Sequence, residues 1–221
     1  FLQEDFKVVP WCTRCATGLS SHELAQGYKE TTDRSVYVKF KLESNQKIGD
    51  FTTDDKTYIL AWTTTPWTLP GNVGLAVNLN TEYIVMKRVT GAGRISELNI
   101  LDHEYYIVAE AWSARIPLER NGGRVFRGTA LYDTKFRNFK GSDLLSMSRY
   151  QPLFRIPKFE NSNTSYKIYS ADFVSAEDGT GVVHTAVMYG EDDYNLGKKV
   201  GLPPFHTVDE RGRFIASLGD G

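Results

Sequence analysis

The sequence predicts an α+β chain that is mainly β, a β-barrel or strongly curved sheet carrying short peripheral helices. Three observations predict it. Short apolar stretches recur along the whole chain, most of them bounded by Gly, Asn, Asp or Pro. Helical patterning is confined to a few short segments. The composition, 41% hydrophobic and 24% charged over 221 residues, is that of an ordinary globular chain long enough to bury a sizeable core.

The clearest strand is SVYVKFKL, Ser35–Leu42, where Val36, Val38, Phe40 and Leu42 alternate with Tyr37, Lys39 and Lys41. That period of two marks a half-buried strand. Further strands are expected at Thr57–Trp62, Val73–Val77, Tyr83–Val89, Tyr105–Ala109, Arg124–Gly128, Tyr166–Ala171 and Thr180–Ala186. Helices are expected near Ser96 (SELNIL), from Ala109 (AEAWSARI), at SDLLSM following Ser142, and over Glu191–Val200. In the last, Glu191, Asp192 and Asp193 fill the first turn and Lys198 and Lys199 the last, which suits the helix dipole. ENSNTS, Glu160–Ser165, reads as a polar hairpin loop. No repeat, low-complexity run or clear linker divides the chain, so residues 1–221 read as one domain.

Lys plus Arg number 26 and Asp plus Glu 27, a formal charge of -1, which argues against gripping nucleic acid by bulk electrostatics. Any RNA contact must be local. The basic region Arg115–Lys140, interleaved with Phe126, Phe136 and Phe139, reads equally as a phosphate-and-base contact or as a solvated face over core phenylalanines. No apolar run reaches the length of a membrane span, and FLQEDFKVVP lacks the layout of a signal peptide, so a cytoplasmic location is expected. A first residue of Phe suggests a piece of a longer protein. The phosphate-loop, dinucleotide, GxSxG, HExxH and EF-hand patterns are all missing.

Cys12 and Cys15 in WCTRC have the spacing of two zinc ligands, but a structural zinc site takes four. His22, His103, His184 and His206 stand at no fixed offset from them. The chain by itself therefore holds at most half a metal site, and two reduced thiols in a turn is the plainer reading.

Two stretches carry candidate chemistry. WTTTPWTLPGN, Trp62–Asn72, sets Thr63, Thr64, Thr65 and Thr68 between tryptophans and a Pro-Gly turn. Threonine is β-branched and suits an edge strand, which accounts for Thr63–Thr65 but not for Thr68 and Asn72 beyond the prolines. In DGTGVVHTAVMYGEDDY, Asp178–Tyr194, a Gly-rich turn feeds a strand reaching His184, and a loop through Gly190 opens a helix on Glu191, Asp192 and Asp193. Strand ends and helix starts can converge on one pocket. Acids at a helix start also serve as caps, and a histidine after an apolar strand can simply be packed.

Together these two stretches resemble the editing domain, the connective peptide 1 insertion, of isoleucyl-tRNA synthetases, class I aminoacyl-tRNA synthetases. WCTRCATGLSSHELAQGYKE, FKGSDL at Phe139–Leu144 and YQPLF at Tyr150–Phe154 extend the resemblance along nearly the whole chain. The ATP-using HIGH and KMSKS signatures are missing. The resemblance implies a barrel-like editing domain, with residues 1–30 and 205–221 near its junctions to the synthetase body. The implied activity is hydrolysis of valyl-tRNA-Ile, and of valyl-adenylate as a further substrate, sparing isoleucyl-tRNA-Ile. No cofactor is implied. The implied partners are the valine-bearing acceptor end of tRNA-Ile and the rest of the synthetase, with the protein a monomer.

Residue by residue, the resemblance implies that Asp193 binds the substrate ammonium and takes part in catalysis. It implies that His184 walls off isoleucine, that Thr63, Thr64 and Thr65 line the reacting ester, and that Thr68 and Asn72 line the pocket. Cys12 and Cys15 become half of a zinc site completed elsewhere in a full-length protein. Val187 departs from the pattern, which commonly has proline there and thus a fixed chain direction. The alternative reading is an acceptor-end binding module without hydrolysis.

Overall fold

The alternation of Val36, Val38 and Phe40 is carried into the structure: Phe40 is fully buried while Tyr37 and Lys39 face solvent. The computed structural model describes residues 7–90, 103–113, 119–121, 124–127, 130–147, 149–177, 179–215 and 218. A small hairpin of β1 (Trp11–Cys12) and β2 (Thr17–Gly18) leads to α1 (Ser21–Ala25), whose capping box joins Ser20 and Glu23. β3 (Val36–Lys41) and a second hairpin, β4 (Lys47–Ile48) with β5 (Phe51–Thr52), precede β6 (Thr57–Thr63). A 3₁₀ turn, Pro66–Gly71, connects β6 to β7 (Gly74–Val77). β8 (Glu82–Thr90), β9 (His103–Ala109) and α2 (Glu110–Ser113) follow, then β10 (Glu119–Asn121), β11 (Arg124–Arg127) and β12 (Ala130–Lys140). The chain continues through α3 (Gly141–Leu144), α4 (Pro157–Glu160), β13 (Lys167–Ser170), β14 (Val182–Thr185) and α5 (Glu191–Val200).

Seven strands form one sheet in the order β10-β11-β12-β8-β9-β6-β3, antiparallel except where β6 lies parallel to β9. A second sheet, β13-β7-β14, has β7 parallel to β13 and antiparallel to β14. The predicted class, mainly sheet with short helices, is the class observed, and among the described residues no closed barrel forms. The core is covered by the second sheet instead of by the far edge of the first. Val85, Ile107 and Ala109 of the large sheet meet Leu75, Val77, Ile168 and Val182 of the small one. On the other face Leu60, Ile84, Met86, Tyr106 and Val108 form a smaller cluster. Burying such side chains contributes about 1.5–3 kcal/mol each, so the doubly apolar β8 and β9 anchor the fold.

Backbone bonds extend the small sheet and tie it to the large one where the candidate site lies. Val73 N–H donates to Thr185 O (3.0 Å), Tyr166 N–H to Val73 O (2.7 Å) and Ala109 N–H to Thr180 O (2.8 Å). Gly181 has φ +72°, and an added Cβ would stand 2.5 Å from that of Ala109, so only glycine lets the chain pass here. Far from the site, Trp11 Nε1 donates to Glu210 O (2.7 Å), joining the first hairpin to the segment bridged at Val208 and Phe214.

Each expected strand forms within two residues of its reading. ENSNTS differs: Pro157 starts α4, and the polar segment runs from that helix into β13 and is not a hairpin loop. The helix expected near Ser96, the end of AEAWSARI, Arg115, Asp178 and residues 1–6 and 219–221 lie outside the described residues, as do most side chains of the basic Arg115–Lys140 stretch.

Candidate functional site

The threonine run straddles the end of β6. Thr63 is its last residue, paired with Val36, whereas Thr64 and Thr65 have left the strand and are exposed. Thr63 is 7% exposed, and its Oγ1 accepts from Thr65 N–H (3.1 Å) and lies 3.3 Å from Thr65 Oγ1. Thr68, inside the 3₁₀ turn, donates its hydroxyl hydrogen to Thr65 O (2.8 Å). One threonine is thus sheet and three are not.

The two stretches meet at a buried contact. Thr68 Oγ1 lies 3.1 Å from Nε2 of His184, which sits on β14 opposite Leu75. Since the single hydroxyl hydrogen of Thr68 serves the Thr65 carbonyl, Nε2 is the donor and His184 Nδ1 is left as a bare acceptor. Nδ1 is buried and has no protein partner. Burial pushes the His184 pKa down to about 4, so the ring is neutral at physiological pH.

Asp193 is the third residue of α5. Its Oδ1 accepts from Ala186 N–H at 3.3 Å, and a Cβ on Gly190 would come within 2.3 Å of Oδ2. Glycine at 190 therefore lets the carboxylate fold back across the helix start. Burial raises its pKa to about 6, opposed by the Ala186 bond and reinforced by Asp192. The turn packs on this loop: a Cβ at Gly71 would lie 3.0 Å from the Tyr189 ring and 3.5 Å from Ala186 Cβ. Trp67, 47% exposed, meets the Tyr189 ring edge-on at 5.2 Å.

A cleft of about 220 Å³ opens beside the end of β6, lined by Trp62, Thr63, Thr64, Ser175, Gly179, Thr180, Val182 and Val183. Of the sequence-predicted residues it takes Thr63 and Thr64. Thr68 and His184 form a buried link, the Thr68 hydroxyl reaching the carbonyl of the exposed Thr65, and Asp193 stands at the neighbouring helix start. Asn72 turns inward at 4% exposure, with Nδ2 donating to Gly74 O (3.0 Å) and Oδ1 accepting from Tyr150 OH (2.7 Å). Sequence reasoning did not single out Trp62, Ser175 or Thr180 as lining residues. The first and last lie within the quoted motifs, while Ser175 carries no local signal.

Val187 is 5% exposed and fills the notch left by Gly197 of α5, where an added Cβ would meet its methyls at 2.8 and 2.9 Å. Cys12 and Cys15 share one turn, with Cys15 N–H directed at Cys12 Sγ (3.4 Å), a geometry that suits half of a thiolate metal site. Among the described residues, no group of three or more His, Cys, Asp and Glu is placed to hold a metal. No helix among them is long and apolar enough to cross a membrane.

No protein-family model matches the chain. It is 38% identical to the isoleucine–tRNA ligase of Clostridium tetani over 217 residues, 97% of this chain and 17% of that protein. It is 38% identical to that of Thermoplasma acidophilum over 213 residues, 96% of the chain and 17% of the relative. Isoleucine–tRNA ligase 2 of Bacillus cereus is 39% identical over 217 residues, 98% of the chain and again 17% of the relative. The chain thus spans 17% of the length of these curated relatives. In fold it is similar to the crystal structure of GlLeuRS-CP1, with a TM-score of 0.50 and 18% identity, over 76% of this chain and 60% of that one.

Proposed function

The chain belongs with the isoleucine–tRNA ligases as a homologue of one segment of them, and on that premise we propose that it is a proofreading hydrolase that removes valine from valyl-tRNA-Ile and spares isoleucyl-tRNA-Ile. The observation that carries this reading is the buried Thr68–His184 hydrogen bond. It joins the threonine stretch to the histidine stretch near a cleft lined by Thr63 and Thr64.

The reaction is ester hydrolysis with water as the only co-reactant. Water oxygen bonds to the acyl carbon, the bond to the ribose oxygen breaks, and the proton released from water ends on that ribose oxygen. Hydroxyls of Thr63, Thr64 and Thr65 orient the water and the carbonyl, supplying fixed dipoles and no strong base. The neutral His184 donates into the threonine turn and acts as a wall that admits valine and meets the extra methylene of isoleucine. A synthetic site gains little discrimination from one missing methylene, which is why a second, smaller pocket is useful. The Asp193 carboxylate, ionised at neutral pH and with Oδ2 uncommitted to Ala186, holds the substrate ammonium.

In this reading the partners are the acceptor end of tRNA-Ile and the remainder of a cytoplasmic synthetase, with the chain acting as a monomer. The test is deacylation of valyl- and isoleucyl-tRNA-Ile by this chain beside Asp193→Ala and His184→Ala. Selective loss of valine is expected, abolished at Asp193 and less selective at His184. Unimpaired tRNA binding with no hydrolysis by any of the three proteins would replace the hydrolase with an acceptor-end binding module.

A further inference from the structure

The 3₁₀ turn that carries Thr68 spans Pro66–Gly71. Thr65 at its start has φ −120° and ψ 65° and makes no side-chain cap, and the turn contains Pro66 and Pro70, which donate nothing. Thr68 N–H to Thr65 O and Asn72 N–H to Leu69 O, both 3.0 Å, close its two ends onto the flanking residues. Side chains from outside the turn also hold it, His184 at Thr68 and the partner of Asn72 at its end.

Asn72 is fixed by Tyr150. The two side chains are 4% and 2% exposed, and the phenol donates to Asn72 Oδ1 at 2.7 Å while Nδ2 holds Gly74 O at the start of β7. The Tyr150 ring cannot swing away. It packs edge-on against Phe40 (5.3 Å) and Tyr166 (5.8 Å), and its N–H donates to Tyr166 O at 3.0 Å. Phenylalanine would satisfy such an apolar niche, and a buried hydroxyl costs free energy unless it is bonded. Tyr166 supplies the contrast: its ring is equally buried, at 3% exposure, but its OH has no partner.

We propose that Tyr150 is a positioning residue for the hydrolytic site, holding the threonine turn through Asn72 at the geometry in which Thr68 meets His184. This rests on the hydrolase reading above for its effect on rate, while the geometry itself is testable without it. Asn72 on this view is a brace inside the protein, and its loss and that of the Tyr150 hydroxyl are one event.

The experiment compares the 221-residue chain with Tyr150→Phe, Asn72→Ala, the double variant and Tyr166→Phe, reading single-turnover deacylation of valyl-tRNA-Ile, KM, and the ¹⁵N signals of the His184 ring. Tyr150→Phe should slow hydrolysis by roughly tenfold to a hundredfold with KM unchanged, the scale expected of a misplaced reacting group. The double variant should be no slower than Asn72→Ala, and Tyr166→Phe should match the parent. The His184 signals should show the Nε2–H tautomer in the parent and move away from it in Tyr150→Phe and Asn72→Ala alone. Parent-like rate and ring signals in Tyr150→Phe would overturn the proposal, as would additive losses in the double variant. If the parent hydrolyses nothing, the hydrolase reading fails and the ring signals still decide the positioning role. Should Tyr150→Phe not fold, Asn72→Ala alone must move the His184 signals, and unmoved signals there overturn it.

Discussion

A carboxyl group with a pKa near 6 costs a protein stability at neutral pH, and Asp193 is such a group. Its folded pKa lies above the unfolded value of 3.8, so the folded state favours the neutral form; the penalty is absent below pH 3.8 and fully present above about 6. With the group partly in solvent, the penalty is on the order of 1–2 kcal/mol. Asp193→Asn should therefore be at least as stable as the parent to urea at pH 7 while losing deacylation. A variant markedly less stable would show the carboxylate serving as a helix cap instead. On the proposed function, deacylation should likewise fall as pH drops through 6, since protonation would remove the anchor proposed for the ammonium. Thr68→Val removes a buried hydroxyl that serves both Thr65 O and His184, and should cost about 1–3 kcal/mol in denaturant titration. These residues were legible from the quoted motifs and the family they resemble. Tyr150 was not, because nothing near it in sequence distinguishes a phenol that braces Asn72 from one, like Tyr166, that is merely packed.

At the scale of the element, α5 joins site and core. Acids at its start and lysines at its end were readable as helix signals, and the structure adds Gly201 at φ +72° as its terminus. The helix packs closely through Gly197, which receives Val187, and this contact holds the loop that a proline would otherwise stiffen. Gly197→Ala should destabilise by about 1–3 kcal/mol, read as a lower melting temperature, because a methyl must displace the Val187 methyls. Adding Val187→Ala should return most of that loss. Strands with strict alternation or continuous apolar runs, such as β3 and β7, were legible at nearly their observed bounds. β12, eleven residues long, was not, since its charged and small residues show no period and its register on β8 shifts twice.

For the whole molecule, the sequence indicated many strands and few helices but not that the core would close by a second sheet. That choice depends on parallel pairings of β6 with β9 and β7 with β13, long-range contacts with no local signature. The same assembly places two oppositely shifted groups in one region. His184, lowered from 6.5 to about 4, loses the protein stability as pH falls through that window, whereas Asp193, raised from 3.8 to about 6, returns it. Stability should thus be nearly flat between pH 4 and 6.5 from this pair. Asp193→Asn should expose a steep acid loss, measured by denaturation at several pH values.

The Thr68–His184 bond spans 116 residues of chain. Closing so long a loop is entropically costly before any contact rewards it, so the bond belongs to a late step of folding. A nascent chain has no site until the stretch through Asp193 has been synthesised. Weakening the bond with Thr68→Val should accordingly speed unfolding and leave the refolding rate nearly untouched, since a bond made after the transition state deepens the finished site's well without raising the climb that its assembly makes.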